Sequence, residues 1–93
     1  MISSILTLKV KPDLYDECLQ TLKEMLPDTR KYAGNLGVSL YQTEGSALTL
    51  ITDWISEQEY QHYSKWRQKK GDTVSLKKYL EQDPNLYLYE KGR

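Results

Sequence analysis

A chain of 93 residues in which 13 Lys and Arg balance 13 Asp and Glu has no formal net charge, and no global basic field to draw in nucleic acid. At that length it forms one small domain spanning residues 1–93, with room for a single core and none for a separate cofactor domain. The lone Cys18 excludes an internal disulfide, no apolar run reaches the length of a membrane span, and MISSILTLKVKPD lacks the basic-then-apolar layout of an export signal, so a soluble, cytoplasmic protein without a membrane partner is expected.

In chain order, Leu6, Leu8 and Val10 alternate with Ser3, Ile5, Thr7 and Lys9, which predicts a first strand over Ile2 to Val10. Pro12 suits the first turn of a helix, where its missing N–H costs nothing. Leu14, Cys18, Leu22 and Met25, flanked by Leu19 and Leu26, recur at three- and four-residue steps and form one apolar stripe. A helix from about Pro12 to Leu26, or a turn further, follows, which Pro27 should end or kink unless it starts a short second turn through Thr29 to Tyr32. Ala33, Gly34 and Asn35 break the pattern. Leu36, Val38 and Leu40 then alternate with Gly37, Ser39 and Tyr41 as a second strand, and Thr43 to Ser46 reads as a hairpin turn with Gly45 free to take positive φ.

The third strand places Leu48, Leu50, Thr52 and Trp54 on one face and Thr49, Ile51 and Asp53 on the other. It runs straight into a helix whose start is marked by the capping pair Ser56 and Glu59, with Ile55 and Tyr60 spaced for a hydrophobic staple. That helix extends to about Lys69. Gly71 is a plausible stop, and Asp72 or Thr73 can cap a shorter helix that contains Leu76, Tyr79 and Leu80. Asn85 to Glu90 alternates leucine with tyrosine as a last strand. The order β-α-β-β-α-(α)-β is the split βαβ, ferredoxin-like α+β arrangement, an antiparallel four-stranded sheet with helices on one face.

Leucines supply the helix-facing side of that sheet. The other side offers Ile5, Tyr41, Ile51, Tyr87 and Tyr89 among Ser and Thr, an aromatic, half-polar surface that a homodimer with its two sheets face to face would cover.

The usual catalytic equipment is missing. One histidine and one cysteine cannot build a dedicated N/S metal site, and there is neither a P-loop nor a G-x-G-x-x-G motif. A nucleophile triad would need the sole His62. Catalysis on this chain therefore requires a substrate that supplies its own electrons, and no metal or other cofactor is expected. The strand-end Trp54 and, on one broad face of the following helix, Tyr60, Tyr63, Ser64 and Arg67 form the candidate site. Trp54, Tyr60 and Tyr63 would wall a flat ring, Arg67 would stand at the lip or serve in a salt bridge, and Asn35 would sit at the mouth or serve its turn. His62 points off that face, and Lys69, Lys70, Lys77 and Lys78 read as a solvated surface.

Nearly the whole chain, through ILTLKVKPD, GNLGVSLYQ, TLITDWISEQEYQHY and WRQKKGDTVSLKKYL leading to NLYLYE, resembles the antibiotic biosynthesis monooxygenase family of dimeric α+β barrels. The resemblance implies a dimer with one pocket per subunit between helices and sheet. It also implies oxidation of an electron-rich phenol, anthrone or quinol by O₂ without added cofactor. Trp54 matches the family's tryptophan at the end of the third strand, and Tyr60 falls where members acting on polyketide anthrones have a pocket tyrosine. Many members carry a histidine nine or ten residues past that strand end. Here Tyr63 stands nine beyond and His62 one residue early, turned by about 100° on the helix. The asparagine that haem-degrading relatives place on the first strand is absent as well. These departures count against a histidine base and against haem chemistry, and leave a non-catalytic ligand-binding or interaction domain as the alternative.

Overall fold

The structure, a computed structural model, describes residues 1–91. Four strands, β1 (Ile2–Lys9), β2 (Asn35–Thr43), β3 (Ala47–Trp54) and β4 (Asn85–Glu90), form one sheet in the order β2-β3-β1-β4, and every pairing is antiparallel. Helices α1 (Tyr15–Lys31), α2 (Glu57–Lys70) and α3 (Asp72–Lys77) connect them, which is the ferredoxin-like α+β fold expected from the element order.

The period-two alternation decides which side of the sheet the helices cover. Leu8 on β1 pairs with Leu48 on β3, and both are buried together with Cys18 and Leu22 of α1 and with Tyr79 and Leu80. A second, smaller core at the other end of the same face joins Ile2, Trp54 and Tyr60, with Tyr32 and Tyr63 packed against it. Between these two apolar ends, the rungs of β1 and β3 run Leu8–Leu48, Leu6–Leu50, Ser4–Thr52 and Ile2–Trp54, so two hydroxyl residues sit in the middle of a leucine ladder.

One alternative is decided and two local expectations are corrected. Of the alternatives at Pro27 the chain takes the longer helix: α1 runs on to Lys31, after a 3₁₀ turn at Pro12–Leu14. The ring removes one bond to the Lys23 carbonyl, but Lys23 and Pro27 both lie on the exposed side, where water can serve that carbonyl. The turn beyond Pro27 is anchored through the buried Thr29. Leu36, grouped above with the helix-facing residues, is 54 % exposed. A bulge between Asn35 and Gly37 takes it out of the ladder and turns the strand end away from the core. The staple does not form either: Ile55 is exposed, while Tyr60 turns inward against Trp54.

The junction that aims α2 is otherwise as the residues suggest. Ser56 Oγ accepts the Glu59 backbone N–H at 3.5 Å, and Gly71 closes the helix in the left-handed region. The loop before β2 fixes the other side. The Ile55 N–H donates to the Gly34 carbonyl at 2.9 Å, and Gly34, at φ +89°, lies so close to α2 that a Cβ there would come within 2.6 Å of Glu59.

Candidate functional site

The layers do not close completely. A cavity of about 330 Å³ lies between the sheet and the three helices, the size at which small-ligand sites begin. Its floor follows the ladder of β1, from Ser4 through Leu6 to Leu8, with Thr52 and Leu50 of β3 alongside. Leu22, Met25, Leu26 and Thr29 come from α1, and Tyr60, Tyr63, Ser64 and Arg67 from α2. Asp72 and Leu76 of α3 and Leu86 of β4 complete the wall.

The polar groups of this lining divide into two sets. In the first, the Tyr60 hydroxyl lies beside the hydroxyls of Ser4 and Ser64, and all three residues face the cavity. Burial pushes the Tyr60 phenol above its ordinary pKa, while Ser4 and Ser64 pull it down and the nearby Tyr63 pushes it up. The phenol therefore stays protonated through neutral pH and beyond. It is a hydrogen-bond donor with no charge.

The second set is tied to itself. Arg67, 6 % exposed, donates from Nε to the Tyr63 hydroxyl at 2.9 Å and from Nη1 to Asp72 at 2.8 Å. Its Nη2 donates to the Met25 carbonyl at 2.9 Å and to Thr29 Oγ1 at 2.8 Å. These four bonds use most of the five N–H groups of a guanidinium. Burial alone would lower the Arg67 pKa, but the bonds to Asp72 and Tyr63 outweigh it and hold the group charged. Tyr63 and Thr29 are also bonded to each other, at 2.8 Å. With the Thr29 proton on the Met25 carbonyl, Tyr63 donates to Thr29, and its hydroxyl offers the cavity only a lone pair. Arg67 thus clasps α1, α2 and α3 into one roof and carries no unpaired charge into the cavity.

Of the residues singled out from the sequence, Tyr60, Tyr63 and Arg67 line the cavity together, whereas Trp54 and Asn35 do not. Trp54 is fully buried behind the wall, 4.8 Å from Tyr63 and 6.1 Å from Tyr60 between ring centroids. Its Nε1–H is spent on Thr52 Oγ1 at 2.8 Å. The inward turn of Tyr60 places that phenol, not the indole, next to the open space. Asn35 stays with its own turn, donating to the Gly37 carbonyl. His62 is exposed on the far side of α2, as its phase on the helix indicates.

Ser4, Thr29 and Asp72 escaped sequence reasoning as site residues. Ser4 did leave a signal: it is a hydroxyl in phase with Leu6 and Leu8, where a core position would ordinarily be apolar. Thr29 left none, because it follows a proline that marks a helix end in most sequences.

Residues 1–69 match the model of the antibiotic biosynthesis monooxygenase family. Among solved structures, a conserved protein from Methanosarcina mazei superposes with a TM-score of 0.89 at 22 % identity, over 98 % of this chain and 92 % of that one. An antibiotic biosynthesis monooxygenase superposes at 0.88 and 17 % identity, over the full length of both chains. A monooxygenase of Streptomyces coelicolor, solved with the ligand nanaomycin D, superposes at 0.81 and 18 % identity, over 99 % of this chain and 88 % of that one. At these identities the likeness speaks to the fold. No curated protein matches the chain.

Proposed function

Because this chain belongs to the antibiotic biosynthesis monooxygenase family, we propose that its cavity binds an electron-rich aromatic, a phenol, anthrone or quinol, and that O₂ oxidises it there without a resident cofactor. The observation that carries this reading is the buried, neutral Tyr60 hydroxyl, grouped with Ser4 and Ser64 at the hydroxyl-lined part of a mainly apolar cavity.

The chemistry needs little from the protein. A phenol gives up its proton to water and then an electron to O₂, and the radical pair combines to a ring-bound peroxide that takes up a proton to become the hydroperoxide. Loss of water leaves the quinone: one oxygen atom stays on the ring, the other departs as water, and all the electrons come from the substrate. Tyr60 would donate a hydrogen bond to the substrate oxygen as charge gathers there, or a proton to the departing oxygen. The leucine walls would keep water from the intermediate. Tyr63 and Arg67 act as positioning residues, since their polar atoms are bound to each other and to Thr29 and Asp72. Trp54 would support Tyr60 and Tyr63 from behind, and Asn35 would have no contact with substrate.

Oxygen uptake with a panel of hydroquinones and anthrones tests the proposal. Tyr60→Phe keeps the ring and removes the hydroxyl, so turnover should fall about a hundredfold with the fold intact. A wild-type rate equal to that of buffer across the panel would leave only a non-catalytic binding domain on this scaffold.

We further propose that the protein works as a homodimer through the uncovered face of the sheet. Tyr41, Tyr87 and Tyr89 are each more than half exposed there, and Tyr87 lies over Tyr89 with ring centroids 6.3 Å apart. Such a patch is typical of an interface. Light scattering at micromolar concentration should return twice the chain mass for the wild type. Tyr87→Glu should shift it toward the monomer, and a wild-type monomer would refute the pairing.

A further inference from the structure

We propose that the cavity selects an uncharged phenol bearing one aliphatic tail, with its ring at the Ser4–Thr52 rung and its tail along the leucines toward Leu8. This rests on the oxygenase reading of the site and narrows its substrate.

The register of the sheet carries the argument. Going down β1 and β3, the helix-facing rungs change from Ser4–Thr52 to Leu6–Leu50 to Leu8–Leu48, so the floor passes from hydroxyl to hydrocarbon over about 13 Å from Ser4 to Leu8. The wall repeats the division. Tyr60 and Ser64 stand by Ser4, whereas Leu22, Leu76 and Leu80 belong to the cluster around Leu8 or pack on it. A ligand with hydroxyls at both ends would bury the second one against leucine without a partner, at the cost of a lost hydrogen bond. A ligand with a single head does not.

Charge and shape restrict it further. Among the described residues, the only charged side chains on the lining, Arg67 and Asp72, are paired at 2.8 Å, and Arg67 is committed to three further acceptors. An anionic ligand would find no free counter-charge. Apart from Tyr60 and Tyr63, the neighbouring aromatic rings are used elsewhere: Trp54 packs on Tyr63 at 4.8 Å and Tyr32 on Trp66 at 5.2 Å, and none of Trp54, Tyr32 or Trp66 reaches the cavity. Away from Ser4 and Thr52 most of the lining is aliphatic, from Leu6 and Leu8 on the floor to Leu22, Leu26 and Leu76 on the helices, which suits a flexible chain better than a second and third fused ring. On β4, Leu86 pairs with Leu6, belongs to the lining and is 47 % exposed.

Titration calorimetry on the wild-type protein tests this with para-alkylphenols from ethyl to octyl, para-hexylbenzoate, anthrone and its dihydroxy derivative, and the matching n-alkanols. Phenol affinity should rise about fourfold per methylene until the cavity is full, and hexylbenzoate should bind at least about tenfold more weakly than hexylphenol. Leu26→Trp should move the plateau to shorter chains, a shift that mere loss of stability would not produce. Affinity flat with chain length, or a tricycle that outbinds every alkylphenol, would overturn the tailed substrate while leaving the oxygenase reading in place. If the alkanols match the phenols and no phenol consumes oxygen, the oxygenase reading itself falls.

Discussion

Replacing Arg67 by methionine is expected to destabilise the protein by about 3–5 kcal/mol, the usual result of removing one member of a buried, hydrogen-bonded charge pair. Methionine fills much the same space, so a cavity is not the cause. The loss comes from what remains: Tyr63, Thr29, the Met25 carbonyl and Asp72 would all lose a donor inside the fold. Because those acceptors lie on α1, α2 and at the start of α3, the damage spreads across the whole roof of the cavity. Arg67→Lys should recover little, since one ammonium cannot span four acceptors in the plane that the guanidinium matches. Urea unfolding followed by circular dichroism measures the change. A loss under about 1 kcal/mol for Arg67→Met would show that the roof is held by packing alone.

Trp54→Ala should cost a comparable amount, about 3–5 kcal/mol, for a different reason. The indole is fully buried and forms the centre of the second core, in contact with Tyr32, Tyr60 and Tyr63. Its removal leaves a void behind two side chains that line the cavity and deprives Thr52 of its donor. Trp54→Phe keeps most of the packing and should cost distinctly less. Thermal unfolding with both variants checks this. If Trp54→Ala folded as stably as the wild type and lost only ligand binding, the indole would be a wall of the site after all.

Much of this was legible in the residues. The alternation in β1 and β3 decides which face meets the helices, because a one-residue slip would put Leu8 and Leu48 in water, whereas Leu86 and Leu88 of β4 stay 47 % and 37 % exposed. Ser56, Glu59 and Gly71 mark both ends of α2 by local chemistry alone. The phase of that helix was enough to bring Tyr60, Tyr63 and Arg67 to one side and to turn His62 away. What escaped depended on contacts distant in sequence. Thr29 belongs to the site only because Arg67 and Tyr63 reach it from α2, and Pro27 stays helical only because the turn after it is anchored there. Leu36 left its expected face through a bulge, which is a mismatch between two strands and so is invisible in either one. Trp54 was on the correct face but lies behind Tyr60 and Tyr63, a distinction that depends on how those two rings pack over it rather than on the period of the sequence.

Mass spectrometry of the product formed under ¹⁸O₂ tests the central claim most directly. Monooxygenation of a phenol or anthrone in this cavity predicts one labelled oxygen atom on the ring in the first turnovers, with labelled product formed more slowly by Tyr60→Phe in proportion to its lower oxygen uptake. A product whose new oxygen comes from water, or no product from any electron-rich aromatic, would contradict it.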